Sequence, residues 1–443
     1  MEEVSTIALA GGRGIRARPL TLNSGDYLRS KATVSLAGRP LIEWAVTALR
    51  GLGVQDYYVV ANGRENRVQI KEVLGHGERW GVTVRYSRSR FDQDNTGSGQ
   101  ATLCALDYWD LEGLALVVPT DSVFDFDLSE LVRAHRAAGA DVSVATVMRP
   151  ALEAADTYGV LDVEGDGMVR RFVEKPAPAA ALALAAAAGP GSADLLHTST
   201  GMYLIDCQRL RMAAGDPALA ALARTRLDWG NDLLPYLVAN GYQVLAQPIA
   251  RFGDLGHPAG YLDTLKDVLL DRYPLLSAGI DPPVGSVAGL RIHESSLEMK
   301  DPISGRTLAD KISDGSVRIG PGVRIGRDVE IGPAVTLVES DIGDGVDLGE
   351  GCTLRGVSCG DHGVIGPGAR LTDVFLGCMV DVRSTLERPV VLSEYCALGD
   401  EVRVPAGTRL RGVHAFPGLR LAENARIPVG ASLAGVGDLM RWL

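Results

Sequence analysis

Apolar runs alternate with helix-like segments through roughly the first 270 residues. Predominantly apolar runs, typical of buried strands, lie at Thr6–Ala10, Tyr57–Ala61, Leu114–Pro119 and Val142–Met148. Helix-like segments follow between them, at Leu41–Leu52, Gly99–Tyr108 and Leu128–Ala138. This alternation predicts a doubly wound α/β sheet with helices on both faces. In such sheets ligands bind at the carboxyl ends of the strands.

A different pattern begins at Val317. An aliphatic residue followed by a small one recurs every six positions, as in Ile319-Gly320, Ile325-Gly326 and Ile331-Gly332. The phase slips by one residue and resumes at Ile342 and Leu348. A period of six is typical of a hexapeptide parallel β-helix, in which each hexapeptide forms one face of a triangular prism. A β-sandwich with glycine-rich turns is the alternative, but it would not hold this phase over about a hundred residues.

These patterns divide the chain into three parts. We expect an enzyme-like α/β domain at 1–273, a linker with irregular strands at 274–316, and the β-helix at 317–443. An Ala/Pro/Gly-rich stretch at 177–195 is expected to form a surface helix or loop inserted in the first domain. β-helices of this repeat wind left-handed in known families, although the period itself does not fix the hand.

Composition narrows the classes of function. The net charge is −11, whereas a protein that binds nucleic acid usually has an excess of basic residues. No apolar run reaches the ~18 residues of a membrane span, and the acidic N-terminus does not resemble a secretory signal. The six cysteines form no CxxC pair, which favours reduced thiols and a cytoplasmic location.

A glycine-rich segment directly follows the first predicted strand. It reads Leu9-Ala10-Gly11-Gly12-Arg13-Gly14 and continues to Arg16. Three glycines in four residues let backbone N–H groups approach a phosphate closely. The segment lacks the pattern of a Walker loop or of a Rossmann dinucleotide loop. Lys31 follows it in a chain that has only six Lys among 44 basic residues, which suggests a compact point charge on phosphate.

These residues resemble the signature of the sugar-1-phosphate nucleotidyltransferases, GGxGTRLxPLT followed by a lysine flanked by prolines. Further motifs of that family follow in order: Gly97-Ser98-Gly99 (base-binding loop), Thr120-Asp121 (strand-end Asp), Tyr158-Gly159-Val160, Glu174-Lys175-Pro176, Thr200-Gly201-Met202-Tyr203 and Gly253-Asp254. The resemblance covers some 250 residues. It implies a doubly wound mixed sheet with the Rossmann-like nucleotidyltransferase fold, followed by a left-handed parallel β-helix, similar to ADP-glucose and GDP-mannose pyrophosphorylases.

The resemblance also implies a role for each matching residue. A sugar-1-phosphate, or a modified sugar or cyclitol phosphate, would attack the α-phosphorus of an NTP and release pyrophosphate. Asp121 and Asp254 would jointly hold Mg²⁺, while Arg16 and Lys31 would be catalytic. The implied nucleotide-binding residues are Leu9, Ala10, Gly11, Gly12, Arg13, Gly14, Asp92, Gln93, Gly97 and Ser98. The implied sugar-phosphate-binding residues are Tyr158, Gly159, Glu174, Lys175, Ser199, Thr200 and Gly201.

Asp92 and Gln93 fall where the family often reads the base. An Asp would accept from guanine N–H groups and a Gln would suit uracil or thymine, so the base stays open. Several positions depart from the family pattern, among them Thr120 for Gly and His257 for Thr. An unusual substrate, or weakened activity in a regulatory paralogue, would explain such departures.

Two alternatives to a single nucleotidyltransferase activity follow. One is a bifunctional nucleotidyl- and acyltransferase, for which His362 in the repeats would be the acyl-transfer base; a loop role is the simpler reading of that residue. The other is a catalytically silent regulatory paralogue. The β-helix favours a homo-oligomer, a dimer, trimer or tetramer.

Overall fold

The computed structural model describes residues 4–12, 14–23, 28–88, 96–187, 194–277, 287–301, 304–423 and 425–442. Contacts divide the chain into two compact units. The sheet unit comprises Met1–Gly12 and Ile42–Phe252, and the β-helix unit comprises Arg13–Leu41 and Gly253–Leu443. The glycine-rich segment is therefore split, because its described residues from Gly14 onward belong to the β-helix unit.

The strands up to residue 254 are β1 (Val4–Ala10), β2 (Ser35–Leu36), β3 (Arg39–Pro40), β4 (Asp56–Ala61), β5 (Thr83–Tyr86), β6 (Leu114–Pro119), β7 (Ser122–Asp125), β8 (Val142–Pro150), β9 (Val160–Val163), β10 (Val169–Val173), β11 (Leu195–Asp206), β12 (Val244–Pro248) and β13 (Arg251–Asp254). The α-helices are α1 (Leu41–Gly51), α2 (Arg64–Leu74), α3 (Ser98–Tyr108), α4 (Leu128–Ala137), α5 (Ala151–Ala154), α6 (Pro178–Ala187), α7 (Cys207–Ala214), α8 (Pro217–Leu222), α9 (Leu234–Ala239), α10 (Pro258–Leu269), α11 (Pro274–Ser277), α12 (Glu294–Glu298), α13 (Leu308–Ser313) and α14 (Val436–Leu439).

The main sheet of the sheet unit has the order β10-β9-β11-β6-β1-β4-β5, with β8 beside β11 and β12 beside β8. The central strand β1 is parallel to both β4 and β6, whereas β11 runs antiparallel to β6. The sheet is therefore mixed, as the family resemblance implied. Because β1 and β6 are parallel, their carboxyl ends lie at one edge, where ligands of such sheets bind.

The predicted elements of this unit are confirmed. The four apolar runs are β1, β4, β6 and β8, and the three helix-like segments are α1, α3 and α4, each within about two residues of its predicted ends. Within the Ala/Pro/Gly-rich stretch, Pro178–Ala187 form α6, whose Ala181 and Ala185 are buried in a small cluster with α5, and residues 188–193 lie outside the described residues. Alanine fits there because it has the highest helix propensity and little volume.

The remaining strands belong to the β-helix unit: β14 (Leu290–Ile292), β15 (Arg318–Ile319), β16 (Val323–Ile325), β17 (Glu330–Ile331), β18 (Thr336–Val338), β19 (Asp341–Ile342), β20 (Asp347–Leu348), β21 (Thr353–Cys359), β22 (Val364–Ile365), β23 (Arg370–Leu376), β24 (Asp381–Val382), β25 (Val391–Ser393), β26 (Cys396–Leu398), β27 (Arg403–Val404), β28 (Arg409–Arg411), β29 (His414–Ala415) and β30 (Ser432–Leu433).

These short strands stack in parallel ladders, which confirms the predicted parallel β-helix. Residues on adjacent rungs are usually 17 positions apart, as in the Arg324–Asp341 contact. One coil is longer, so that Cys378 contacts Asp400, 22 positions away. The aliphatic residues of the repeat point inward, and Ile325, Ile342 and Leu376 are at most 1% exposed. β14 pairs in parallel with β16, so the ladder begins at Leu290, inside the segment predicted as a linker.

Within the described ranges, no helix combines the length and apolar character that crossing a membrane requires.

Candidate active site

The carboxyl end of β1 carries the first part of the glycine-rich segment. Leu9 and Ala10 are strand residues, and Gly11 and Gly12 follow them at the surface. The backbone N–H and the hydroxyl of Thr120 both donate to Leu9 O, at 3.2 and 3.1 Å. Thr120, which departs from the family's Gly, is buried and ties the end of β6 to β1. Arg13 lies outside the described residues.

The predicted base-binding loop lies at the start of α3. Gly97 has φ 101°, a value that a side chain rarely adopts, and a Cβ there would lie 3.0 Å from Asp228 Oδ1. Gln100 N donates to Leu227 O at 3.0 Å, and Leu227 N donates to Thr96 O at 2.8 Å. The loop is thus paired along its length with a distant segment. The predicted base readers Asp92 and Gln93 lie outside the described residues.

That distant segment, 227–230, was not identified from the sequence. Asp228 Oδ1 accepts from Ser98 N at 3.1 Å, and Trp229 N donates to Ser98 Oγ at 3.0 Å. The Trp229 indole donates to Thr102 Oγ1 at 2.9 Å and stacks on Tyr203 with ring centroids 4.2 Å apart. Trp229 begins a π-helical turn, Trp229–Leu233, a rare conformation that is frequently found at functional sites. The run Asp-Trp-Gly-Asn-Asp at residues 228–232 is the sequence pattern that could have marked this segment.

Glu174 lies beside this segment. A Cβ on Gly230 would overlap Glu174 Oε2, and a Cβ on Gly159 would lie 2.8 Å from the same oxygen. Glycine at both positions therefore leaves room for the carboxylate. Burial raises the pKa of Glu174, and the neighbouring Lys175 ammonium, 3.5 Å from Oε1, partly offsets this effect. Such a carboxylate is a strong hydrogen-bond acceptor for hydroxyl groups.

Lys175 holds an unusual backbone conformation. Its φ is 45°, in the left-handed region, which costs a residue with a side chain about 1–2 kcal/mol. Its backbone N donates to Tyr158 O at 3.2 Å, which fixes the turn against the Tyr158–Gly159 motif. The side chain remains 46% exposed, so the ammonium group is accessible to an anion.

A bulge interrupts β11 at the next predicted motif. The pairing of β11 with β8 shifts register between Ser199 and Tyr203, and Gly201 has φ 78°. Bulges of this kind often redirect side chains at active sites. Ser199 N donates to Gly159 O at 2.8 Å. This bond joins the bulge to the Glu174 pocket, the space that Gly159 and Gly230 leave around the Glu174 carboxylate. The Thr200 hydroxyl donates to Ala145 O at 2.9 Å and is buried, so it stabilises the bulge.

Tyr158 belongs to an aromatic cluster at the same pocket. Its ring lies 6.3 Å from that of Phe252, edge to face, and Phe252 contacts Phe124 at 5.5 Å. The Arg149 guanidinium lies 4.7 Å from the centre of the Tyr158 ring, within the range of a cation–π interaction.

The two predicted catalytic residues, Arg16 and Lys31, lie in the β-helix unit. Arg16 is exposed on the 3-10 turn Ile15–Ala17, and the turn is fixed because Thr21 Oγ1 donates to Gly14 O at 2.8 Å. Lys31 begins a second 3-10 turn, Lys31–Thr33, in which Val34 N donates to Lys31 O at 3.2 Å. Both turns place a cationic side chain at a partly or fully exposed position.

The two predicted metal ligands lie in different compact units. Asp121 is half-buried and follows the carboxyl end of β6 in the sheet unit. Asp254 ends β13 in the β-helix unit, where its Oδ1 accepts from Gly256 N at 2.8 Å. Carboxylates at strand ends suit Mg²⁺, which is usually held by one or two of them together with substrate phosphates. No described group of three or more His, Cys, Asp and Glu side chains is arranged to hold a metal ion.

His257, another departure from the family, caps α10. Its Nδ1 accepts from Gly260 N at 3.0 Å, the role that a threonine hydroxyl has at a helix N-terminus. The substitution therefore preserves the local structure after Asp254.

Comparison with known proteins gives consistent results. A family model described as nucleotidyl transferase matches residues 5–270. A UTP–glucose-1-phosphate uridylyltransferase of Synechocystis is 24% identical over 84% of this chain and 86% of its own length. A glucose-1-phosphate adenylyltransferase of Bradyrhizobium diazoefficiens is 25% identical over 82% and 90%. The bifunctional protein GlmU of Caldanaerobacter subterraneus is 26% identical over 84% and 72%.

Proposed function

Since the chain belongs to the nucleotidyl transferase family, we propose that it joins a nucleoside monophosphate from an NTP to a sugar-1-phosphate, or to a modified sugar or cyclitol phosphate. A phosphate oxygen of the sugar phosphate forms a bond to the α-phosphorus. The bond from that phosphorus to the β-phosphate oxygen breaks, and pyrophosphate leaves. The product is an NDP-sugar.

One observation supports this proposal most directly. Asp228 accepts a hydrogen bond from Ser98 N, and two residues later Gly230 lies against Glu174 Oε2. A single short segment therefore connects the predicted nucleotide loop with the predicted sugar-binding carboxylate inside the sheet unit. An enzyme that joins a nucleotide to a sugar phosphate needs these two subsites near each other, because positioning supplies much of the rate in such reactions.

In this mechanism each residue acts on a defined part of a substrate. Glu174 accepts from sugar hydroxyls, and the Lys175 ammonium pairs with the sugar phosphate. Backbone N–H groups of Gly11, Gly12 and Gly14 and the side chains of Arg16 and Lys31 neutralise charge on the triphosphate. Asp121 and Asp254 would hold Mg²⁺. When bound, this ion lowers the negative charge on the phosphate oxygens and orients the leaving pyrophosphate.

The test is pyrophosphate release. The purified chain is mixed with Mg²⁺, with each of ATP, CTP, GTP, UTP and dTTP, and with a panel of hexose-1-phosphates and cyclitol phosphates. Release with one NTP and one phosphorylated sugar is expected, and it should stop when Mg²⁺ is chelated with EDTA. NTP binding without release from any pair would contradict the proposal and favour the silent regulatory paralogue.

We also propose a cytoplasmic homo-oligomer with the domains 1–273, 274–316 and 317–443. Large apolar side chains near the C-terminus support association, since Val429, Val436 and Met440 are each more than 60% exposed. A monomeric mass in light scattering would contradict this part of the proposal.

A further inference from the structure

Arg29 lies between the two predicted catalytic cations in the sequence. Its guanidinium reaches three acceptors: Nη2 lies 2.8 Å from Asp400 Oδ2, Nε lies 2.7 Å from Asn23 Oδ1, and Nη1 lies 3.4 Å from Leu20 O. Only 20% of the Arg29 side chain is exposed. One side chain therefore connects the loop around Leu20–Asn23 with the β-helix, 371 positions away in sequence.

Arg29 is connected to both of the turns that carry Arg16 and Lys31. Arg29 N donates to Thr21 O at 3.0 Å, and the Thr21 hydroxyl donates to Gly14 O, next to the turn that bears Arg16. In the other direction Lys31 follows only two residues later. Displacement of Arg29 would therefore move the supports of both Arg16 and Lys31.

Asp400 is itself rigidly held. It follows β26 at a corner of the β-helix, its side chain is 9% exposed, and its Oδ1 accepts from Cys378 N at 3.0 Å. Gly377 gives this carboxylate room, because a Cβ there would overlap Oδ1. On the next rung the Phe416 ring lies 5.9 Å from the Arg18 guanidinium carbon, a second contact of the loop with the same corner.

We propose that Asp400 is a positioning residue for the proposed phosphate-binding loop. Through Arg29 the β-helix fixes the segment that carries Arg16 and Lys31, so this corner of the β-helix is required for productive NTP binding. The inference rests on the proposed function for its kinetic consequences. Its structural premise is that Asp400 anchors the described residues 14–23 and 28–33, and this premise is measurable without any activity.

Asp400→Asn is the most informative variant. Asp400 accepts from two donors with two carboxylate oxygens, whereas an asparagine has one acceptor oxygen and loses one of these bonds. Arg29→Gln breaks the same contact from the loop side, together with the Arg29 bonds to Asn23 and Leu20, and leaves the β-helix side chains unchanged. Asp381→Asn is the matched control, because Asp381 pairs with Arg383 at 2.8 Å on an exposed part of the same β-helix.

The first measurement is hydrogen exchange of the full-length protein. Peptides covering residues 14–33 should exchange about tenfold faster in Asp400→Asn and Arg29→Gln, as expected for loss of a charge-assisted hydrogen bond. Peptides from the β-helix core and the Asp381→Asn control should match wild type. Wild-type exchange of residues 14–33 in either folded anchor variant would overturn the proposal, whatever the activity.

The second measurement separates positioning from stability. The KM for NTP should rise about tenfold in both variants while the KM for the sugar phosphate stays within about twofold. The double variant should be no worse than the poorer single variant, since both substitutions break the same Arg29–Asp400 contact. Equal rises in both KM values would overturn the proposal. Wild-type protein without pyrophosphate release would contradict the proposed function instead, and the exchange result would still decide this inference.

Discussion

The Glu174 pocket and the loop that carries Arg16 and Lys31 are held by different kinds of interaction. The pocket is fixed by backbone hydrogen bonds such as Ser199 N to Gly159 O, and by glycines that leave room for the carboxylate. The loop depends on a side-chain ion pair, Arg29 to Asp400. Backbone bonds between strands persist when a side chain changes, whereas a nearly buried ion pair fails when either partner is removed. The pocket should therefore be sensitive to added volume, and the loop to lost charge.

The largest effect should come from Asp254, the proposed metal ligand in the β-helix unit. Asp254→Asn removes a negative charge from the cation site, and we expect kcat to fall about 10²–10³-fold. Pyrophosphate release at increasing Mg²⁺ concentration measures it. Asp267→Asn, which alters an exposed pair with Arg272, is the control and should behave like wild type. Activity within about twofold of wild type would remove Asp254 from the mechanism.

A methyl group in the pocket should have the next largest effect. In Gly230→Ala the added Cβ overlaps Glu174 Oε2 and displaces the carboxylate, so kcat/KM for the sugar phosphate should fall about 10²-fold. The KM for NTP should stay nearly unchanged. Gly165→Ala is the control, because a Cβ at Gly165 meets no atom within 4 Å. Equal losses for both substrates would show that the two subsites are not separately positioned.

Removal of the carboxylate that pairs with the nucleotide loop should have a smaller effect. In Asp228→Ala, Ser98 N loses its acceptor, and we expect a KM for NTP about tenfold higher with little change in kcat. Steady-state kinetics at saturating sugar phosphate measure this change. The control Asp107→Ala changes a side chain near the other end of α3 that is 74% exposed and pairs with Arg211, so it should leave the KM unchanged. An unaltered KM in Asp228→Ala would contradict the role of the 227–230 segment.

The smallest expected effect is a pH-dependent change in the free energy of unfolding. Burial raises the pKa of Glu174, so the folded protein binds this proton more tightly than the unfolded chain. Wild type should therefore lose stability relative to Glu174→Gln as the pH rises above about 4.5, and the two should converge below about pH 4. Urea unfolding at pH 4 and pH 7 tests this sign. The control Glu153→Gln changes an exposed side chain, and its stability relative to wild type should be the same at both pH values. A stability difference between wild type and Glu174→Gln that does not change with pH would contradict the raised pKa of Glu174.

The repetitive parts of the molecule were predictable because their signal is local. An apolar run such as Leu114–Pro119 specifies a buried strand by itself, and the six-residue phase specifies the rungs. The motifs around Gly159 and Glu174 could be recognised in the sequence because each is a short run of residues, and the structure brings these two residues together. Thr120 and His257 depart from the family pattern, and each side chain makes a hydrogen bond with the nearby backbone.

The remaining contacts were not predictable because they join residues far apart in sequence. Asp228 meets Ser98 across 130 positions, and no local pattern marks either residue as the partner of the other. Arg29 is one of many arginines in the chain, and only the folded β-helix distinguishes it. The assignment of Gly14 and Arg16 to the β-helix unit likewise arises from tertiary contacts that a sequence motif does not encode.

The 371-residue separation of Arg29 and Asp400 has a consequence for biosynthesis. Translation of that interval takes roughly 20–75 s, while N-terminal regions generally begin folding on the ribosome. The sheet elements thus emerge well before the residue that anchors the loop. A nascent or prematurely terminated chain would contain Arg16 and Lys31 without Asp400, so NTP turnover would begin only after Asp400 has been synthesised and folded into the β-helix.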